Sequence, residues 1–522
     1  MSLSCRNQSL KVCCISLWIL ALILISGWRE ADCFAQQIRV VPSISVLEQY
    51  DTNVFFTPKS QLPPGTKADD LISIFTPQLN FTHSNNLVRT NLSVGAIIQK
   101  FARNSELDNV GFNGSAGVDL TQAVNRLLPR NRAFRLMGTY QYMPNASAFG
   151  AGGMGGGFGG GGFGGGGIGI GGPTDSGLLT QRIRTTMFSA GFADSYSLSP
   201  TTDFQTSYTY SQLSFSSSYT PTVNNSAVFD TTTHAISAGP TSRISAIDTL
   251  NVKYTFTQMS QAQFGDYSTH SGTVGWGRTW TKEWSSGLNG GLTLIEPIPD
   301  TSATGGQRRV PATIFPTGGF NITYAAGSSF LRRLGSDIQE ATSSAMGGQS
   351  FLPLLPGMNM PGGIAAPGSY RFTLTYNLGV YPSFVQTAGP IYTHIVSLGS
   401  MAGITSKLTA QALFNYAHSS FTSDTVGTTF STYGTTVSLN YLITPTFTAR
   451  LSHQWLNFDN QTNAGVGAAD LGISKHVILL GFTYAYAPRG DFFRSGAFWE
   501  SPSGGSSSDA GKSGSGGVEI KK

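Results

Sequence analysis

Beyond about residue 35 the chain holds no apolar run long enough for a membrane-spanning helix, which needs roughly 20 residues. It is instead a succession of segments in which apolar and polar residues alternate one for one. In "TLNVKYTFT", Leu250, Val252, Tyr254 and Phe256 alternate with Asn251, Lys253, Thr255 and Thr257. The same period recurs in "RFTLTYNLGV", where Phe372, Leu374, Tyr376 and Leu378 oppose Arg371, Thr373, Thr375 and Asn377, and in "HVILLGFTYAY" near the C-terminus. A period of two sorts side chains onto opposite faces of a strand. Each segment runs to about ten residues or more, longer than the five or six usual in soluble sheets and matched to a tilted strand crossing a bilayer.

The connections are of two kinds. Tight turns are expected at His83–Asn86, Leu128–Asn131, Ser199–Thr202, Ser245–Asp248, Trp280–Glu283, Thr405–Lys407 and Thr444–Thr446. Longer polar loops are expected at Thr57–Asp69, Ser218–Ala227, Glu296–Gln307, Thr422–Thr428 and Asp459–Leu471. Short and long connections alternate, as they do in an outer-membrane barrel with short periplasmic turns and long external loops. The expected fold is therefore all-β, a transmembrane antiparallel up-and-down β-barrel of about 18 strands (16–18) spanning residues 36–487. Both termini are expected in the periplasm.

Composition narrows the alternatives. Charged residues are 11% of the chain, against roughly 25% in soluble proteins, so much of the surface is expected to face something other than water. The net charge of +5 is thinly spread, and no basic cluster suggests nucleic acid. Arg6 and Lys11 followed by the apolar run Val12–Gly27 mark residues 1–35 as a secretory signal peptide. All four cysteines fall inside it, which leaves the remainder without a disulfide framework or a thiolate metal site. A β-solenoid would show a short repeat, and sandwich domains would show apolar faces where these strands carry Thr, Ser, Asn, Gln and Gly. Such faces suit a water-filled lumen.

The tract 150–172, "GAGGMGGGFGGGGFGGGGIGIGG", lacks the Lys and Ser/Thr of a phosphate loop and has strands of one character on both sides. It is expected to be a flexible external loop, not a domain linker. Residues 327–367 fall where the alternation calls for a short turn and form an inserted periplasmic segment; 488–522 are a Gly/Ser-rich tail.

Little in the sequence points to enzyme chemistry, and no cofactor or metal is expected. The histidines His83, His234, His270, His394, His418, His453 and His476 are scattered without paired spacing. His394, His453 and His476 share apolar-face parity and mark strand ends near lipid headgroups. Tyr50–Asn53 and Asp69–Asp70 offer carboxylates for a rim calcium site, but solvated rim charges are the commoner outcome. Arg89, Arg135, Lys253, Arg371 and Arg450 fall on the polar parity of their strands and are the pore-lining candidates, giving a weakly anion-favouring channel.

The opening strands carry a more specific pattern: Glu48, Tyr50 and Asn53 in "PSISVLEQYDTNVFF", then Asp70–Ile72 and Thr76–Pro77 in "ADDLISIFTPQLNFT". Over about a sixth of the chain these strands resemble the beta-barrel porin-2 family, itself similar to outer-membrane barrels found with exopolysaccharide export and exosortase systems. The resemblance implies a barrel channel for small solutes or surface-polysaccharide export, with outer-membrane lipid, the assembly machinery and polysaccharide or its export components as partners. A closed structural or enzymatic barrel is the alternative. The chain departs from the pattern in its last expected strand, which ends at Tyr486 and is followed by the tail.

Overall fold

The computed structural model describes residues 37–55, 62, 67–128, 131–147, 182–217, 230–261, 265–297, 312–327, 367–381, 391–421, 429–444, 446–461 and 471–485. The expected signal peptide 1–35, the glycine tract 150–172, residues 488–522 and all but the end residues of 327–367 lie outside them. The strands are β1 (Gln37–Asp51), β2 (Asp70–Ser84), β3 (Arg89–Phe101), β4 (Asn109–Asp119), β5 (Arg132–Ser147) and β6 (Arg182–Ser199). There follow β7 (Thr202–Ser217), β8 (Thr231–Arg243), β9 (Asp248–Gln261), β10 (Gly265–Thr279), β11 (Trp284–Pro297) and β12 (Thr313–Ala326). The last six are β13 (Tyr370–Tyr381), β14 (Ile391–Gly403), β15 (Leu408–Phe421), β16 (Thr429–Thr444), β17 (Phe447–Gln461) and β18 (Leu471–Ala485). Each pairs antiparallel with its neighbours in sequence, and β1 pairs with β18 as well as β2, so the 18-stranded sheet closes on itself. Closure leaves no edge strand, so strand backbones find partners on both sides.

Side-chain chemistry sets the two faces. On β1 the outward set is Ile38, Val40, Ile44, Val46 and Tyr50, all exposed, and the inward set is Val41, Ser45, Leu47, Gln49 and Asp51, all buried. On β9 exposed Val252 and Tyr254 alternate with buried Asn251, Thr255 and Thr257. Repeated around the circle, this gives a continuous apolar outer belt and an inner wall of Thr, Ser, Asn and Gln, the inverse of a soluble protein.

Four of the tight turns share one chemistry. Asn85 Oδ1 accepts the amides of Leu87 and Val88 (2.8 and 2.7 Å), and Thr405 Oγ1 those of Lys407 and Leu408 (3.2 and 3.0 Å). Ser245 Oγ and Thr281 Oγ1 do the same for Ile247 and Asp248 and for Glu283 and Trp284. These side-chain oxygens satisfy amides that the sheet leaves over, which is why Asn, Ser or Thr opens each of the four. Before the turn expected at Leu128–Asn131 the chain makes a short helix, α1 (Thr121–Leu127). Its Asn125 bonds the backbone N and O of Arg132, both at 2.9 Å, and Thr121 Oγ1 accepts the Phe134 amide, so side chains pin α1 against β5. At the opposite end the β9–β10 connection takes only residues 262–264, so not every link on that side is long.

Two girdles of different composition border the belt. At the tight-turn end Trp276 and Trp280 meet edge to face at 6.3 Å, Arg278 lies 4.6 Å over Trp280, and Trp284 packs on Tyr324 at 4.8 Å. Towards the loop end the outward residues become Tyr and His: Tyr208 with His234, Tyr254 with His270 and Tyr376 with His394, each Tyr hydroxyl within 2.7–3.0 Å of the histidine Nδ1. Amphipathic rings at both borders are what a bilayer-spanning belt requires.

The closing seam carries an apolar cluster on the inner face. Leu47, Ile72, Ile74, Ile97 and Leu479 form a buried cluster on the inner face of β1, β2, β3 and β18, joined by Val54 and Phe101. Leu47 faces Gly481 across the seam, where a Cβ would stand 2.1 Å from Leu47 Cδ2, so glycine lets the leucine lie flat on β18. Above the cluster Asp51 and Asp70 are the outermost β1–β2 pair, 1% and 0% exposed.

Candidate functional site: the inner wall of the barrel

The cross-strand register fixes which charges share the inner wall. Arg89 pairs with Asp119, and Asp119 with Arg135, so one acid sits between two guanidiniums near the tight-turn end. The Arg135–Asp119 separation is 3.6 Å. Lys253 lies between Thr273 of β10 and the wall of β8, half-buried on the face of Asn251 and Thr255. Arg371 pairs with Met401, and Arg450 with Asn440 and Gly481; both are half-buried on the inward parity. The register therefore puts all five sequence candidates on the inner face, and only Arg89 and Arg135 are brought together, around Asp119.

Two cations escaped the sequence reading. Arg39 stands on the inward set of β1 and pairs with Thr82; Arg243 ends β8 opposite Thr249. Both belong to strands whose parity was legible, and extending the alternation to their last residues would have found them. With these, the inner-wall cations towards the tight-turn end among the described residues are Arg39, Arg89, Arg135, Arg243, Lys253, Arg371 and Arg450, on β1, β3, β5, β8, β9, β13 and β17. All seven fall within six residues of the tight-turn end of their strands, Lys253 being the sixth of β9. Among the described residues that zone holds two inward acids, Asp119 and Asp203, and Ser197 donates to Asp203 at 2.5 Å. The balance is seven cations to two acids, distributed around the circumference.

The loop end of the wall carries charge of another kind. Lys475 on β18 donates to Asp51 at 2.7 Å, the pair 9% and 2% exposed, and the Asn53 amide donates to the other Asp51 oxygen at 2.9 Å. Asp70 accepts the amides of Leu71, Arg103 and Asn104 and the Asn104 side chain at 2.8–2.9 Å. Of the carboxylates considered for calcium, Asp51 is thus spent on a lysine, Asp70 on backbone amides and the Asn104 side chain, and Asp69 on Arg103. Among the described residues no group of three or more metal-ligating side chains comes together. Glu48 and Tyr50 of the resemblance pattern face outward, and the neighbouring Ser73 donates to Glu48 at 2.9 Å.

The histidines are the second set whose arrangement the sequence concealed. His234, His270, His394, His418 and His476 face outward in the loop-end half of their strands, and His453 faces outward next to the midpoint of β17. The dipeptides Thr233–His234, Thr269–His270 and Thr393–His394 are the visible trace of the Tyr/His pairs, with Thr turned to the lumen and His to the outside. His418 Nδ1 meets Ser431 Oγ at 3.0 Å, a base beside a hydroxyl, but the register puts Asp459 beyond Ser431 and not behind the imidazole. An acid in that place does not orient the base as a hydrolytic triad requires.

No family model matches this sequence, and no curated protein matches it. The resemblance to the beta-barrel porin-2 family accordingly rests on its residues alone. Among solved structures the chain is similar to the outer membrane protein OpdK of Pseudomonas aeruginosa, at 11% identity over 86% of this chain and 99% of that one, TM-score 0.38. OpdO of the same organism gives 10%, 86%, 98% and 0.38. OccAB3 of Acinetobacter baumannii gives 9%, 86%, 99% and 0.36. At these values the likeness adds nothing to the barrel already defined by its own strand pairing.

Proposed function

We propose that the protein is a channel of the bacterial outer membrane that passes small anionic solutes passively. The apolar belt between two aromatic girdles supports the membrane setting, since barrels of the outer membrane carry an apolar band about 25 Å tall flanked by aromatic girdles. Eighteen strands belong to the size class that encloses an aqueous lumen. The observation that carries the solute class is the surplus of cations over acids on the inner wall near the tight-turn end. Such a zone concentrates anions and lowers their barrier, and salt weakens the effect by screening. Nothing in the comparisons supports polysaccharide export, and a neutral polymer would gain nothing from the cationic zone.

The test is the reversal potential of the purified barrel in planar bilayers under a salt gradient. Replacing Arg89, Lys253, Arg371 and Arg450 by Gln moves it from anion-favouring towards neutral, with the amount of folded, heat-modifiable barrel unchanged. An unchanged reversal potential in a conducting barrel removes these residues from the selectivity zone. A folded wild type that conducts nothing refutes the channel itself.

A further inference from the structure

His453 of β17 and His476 of β18 lie diagonally across the outer face, since His453 pairs with Ile478 and Trp455 with His476. His453 Nε2 and His476 Nδ1 are 3.4 Å apart, the ring centroids 5.6 Å apart, and the ring planes 23° from parallel. Each nitrogen lies a little over 1 Å from its ring centroid, so the centroid distance is nearly the N···N distance plus that offset at each end. The rings are therefore edge to edge, nitrogen facing nitrogen, and not stacked face on face. Two imidazole ligands on a tetrahedral zinc, each bonded at about 2.0–2.1 Å, hold their nitrogens roughly 3.4 Å apart, so the pair already has that spacing, and binding turns each ring until its lone pair, now aimed at the other nitrogen, meets the ion. We propose that His453 and His476 form a two-histidine site for a borderline divalent cation of the Zn(II), Ni(II) or Cu(II) class, with water completing the coordination.

The backbone holds the site in place. The His476 amide donates to Thr52 Oγ1 at 2.9 Å and the Thr52 amide to the His476 carbonyl at 3.0 Å, which ties β18 to the end of β1. Trp455 borders the site on β17 and donates its indole N–H to Ser474 at 3.2 Å. Both histidines are exposed on the outer face, on the loop-end side of Leu451 and Ile478, the last outward-facing aliphatic residues of their strands. The other cross-strand pair, His394 and His418, has its centroids 6.5 Å apart and both Nδ1 atoms engaged, by Tyr376 and by Ser431. It serves as the internal control. A cation bridging β17 and β18 binds the folded barrel and not the unfolded chain, so it raises the unfolding temperature.

The experiment titrates Zn(II) alone into the untagged, detergent-folded barrel against a chromophoric indicator. Expected are one saturable equivalent, a loss of affinity of roughly tenfold or more in either His453→Asn or His476→Asn, and no change in His418→Asn. Zn(II) also raises the temperature at which the wild-type band shifts on a gel, and not that of the two variants. The pair is outward and exposed, so all variants fold; His453→Gln and His476→Gln stand in where an Asn form does not. Absence of saturable binding by the folded wild type, binding retained in both variants, or binding lost in His418→Asn overturns the proposal.

Discussion

The buried Asp51–Lys475 pair at the seam gives the sharpest quantitative expectation. Lys475→Met removes the cation and leaves a carboxylate 1% exposed with only the Asn53 amide and the Gln49 side chain beside it. An uncompensated buried charge of this sort costs about 3–5 kcal/mol. Asp51→Asn on top of Lys475→Met removes the charge while retaining an oxygen for the Asn53 amide. The double variant is therefore expected within about 1–2 kcal/mol of wild type, since a buried pair replaced as a unit is close to neutral. The measurement is reversible urea unfolding in lipid vesicles, followed by tryptophan fluorescence and gel mobility. A Lys475→Met barrel as stable as wild type, or a double variant no better than the single, would show that water reaches the pair, and the argument from burial would fall.

Three further outcomes follow from the same structure. Leu480→Arg within the belt costs about 2–4 kcal/mol in the same unfolding assay, and Ser474→Arg, beyond the girdle, about 0–1; equal costs would misplace the border. Gly239→Ala sets a Cβ 1.9 Å from the Val252 carbonyl oxygen and destabilises by about 1–3 kcal/mol, whereas Gly272→Ala meets nothing within 4 Å and is neutral to within about 0.5 kcal/mol. The Lys100 ammonium, and next the Phe101 amide, hold the Asp108 carboxyl below its ordinary range. A depressed carboxylate contributes above its unfolded pKa and is lost as pH falls through the folded one. Hydrogen exchange at the Phe101 amide, 2.8 Å from Asp108, therefore stays slow through the usual Asp titration and quickens only below it. Quickening in step with ordinary Asp would refute the assignment.

What could be read in the sequence follows from the locality of each signal. Alternation is local, so "TLNVKYTFT" shows its two faces, and Lys253 its inward side, without knowledge of any partner. Turn chemistry is local too, and Ser245, Thr281 and Thr405 announce their turns. Cross-strand neighbours are not local: Asp51 meets a lysine from the last strand, and His453 meets a histidine 23 residues on, only because strand pairing and closure set the register. A shift of one residue would turn either pair to the opposite face. Helix α1 was missed because seven residues show too little period, and it persists through Asn125 and Thr121, side chains bonded to β5.

In a barrel that conducts as proposed, the uneven distribution of charge along the axis makes the two directions of travel inequivalent. A solute entering from the loop end passes a wall of Ser, Thr and Asn before it meets any cation in excess, and the fixed positive charge waits near the far exit. Anions accumulate at that exit under one polarity of applied voltage and are depleted under the other. In a conducting barrel the current–voltage curve therefore bends, and the molecule behaves as a rectifier whose direction reports which way round it sits in the bilayer.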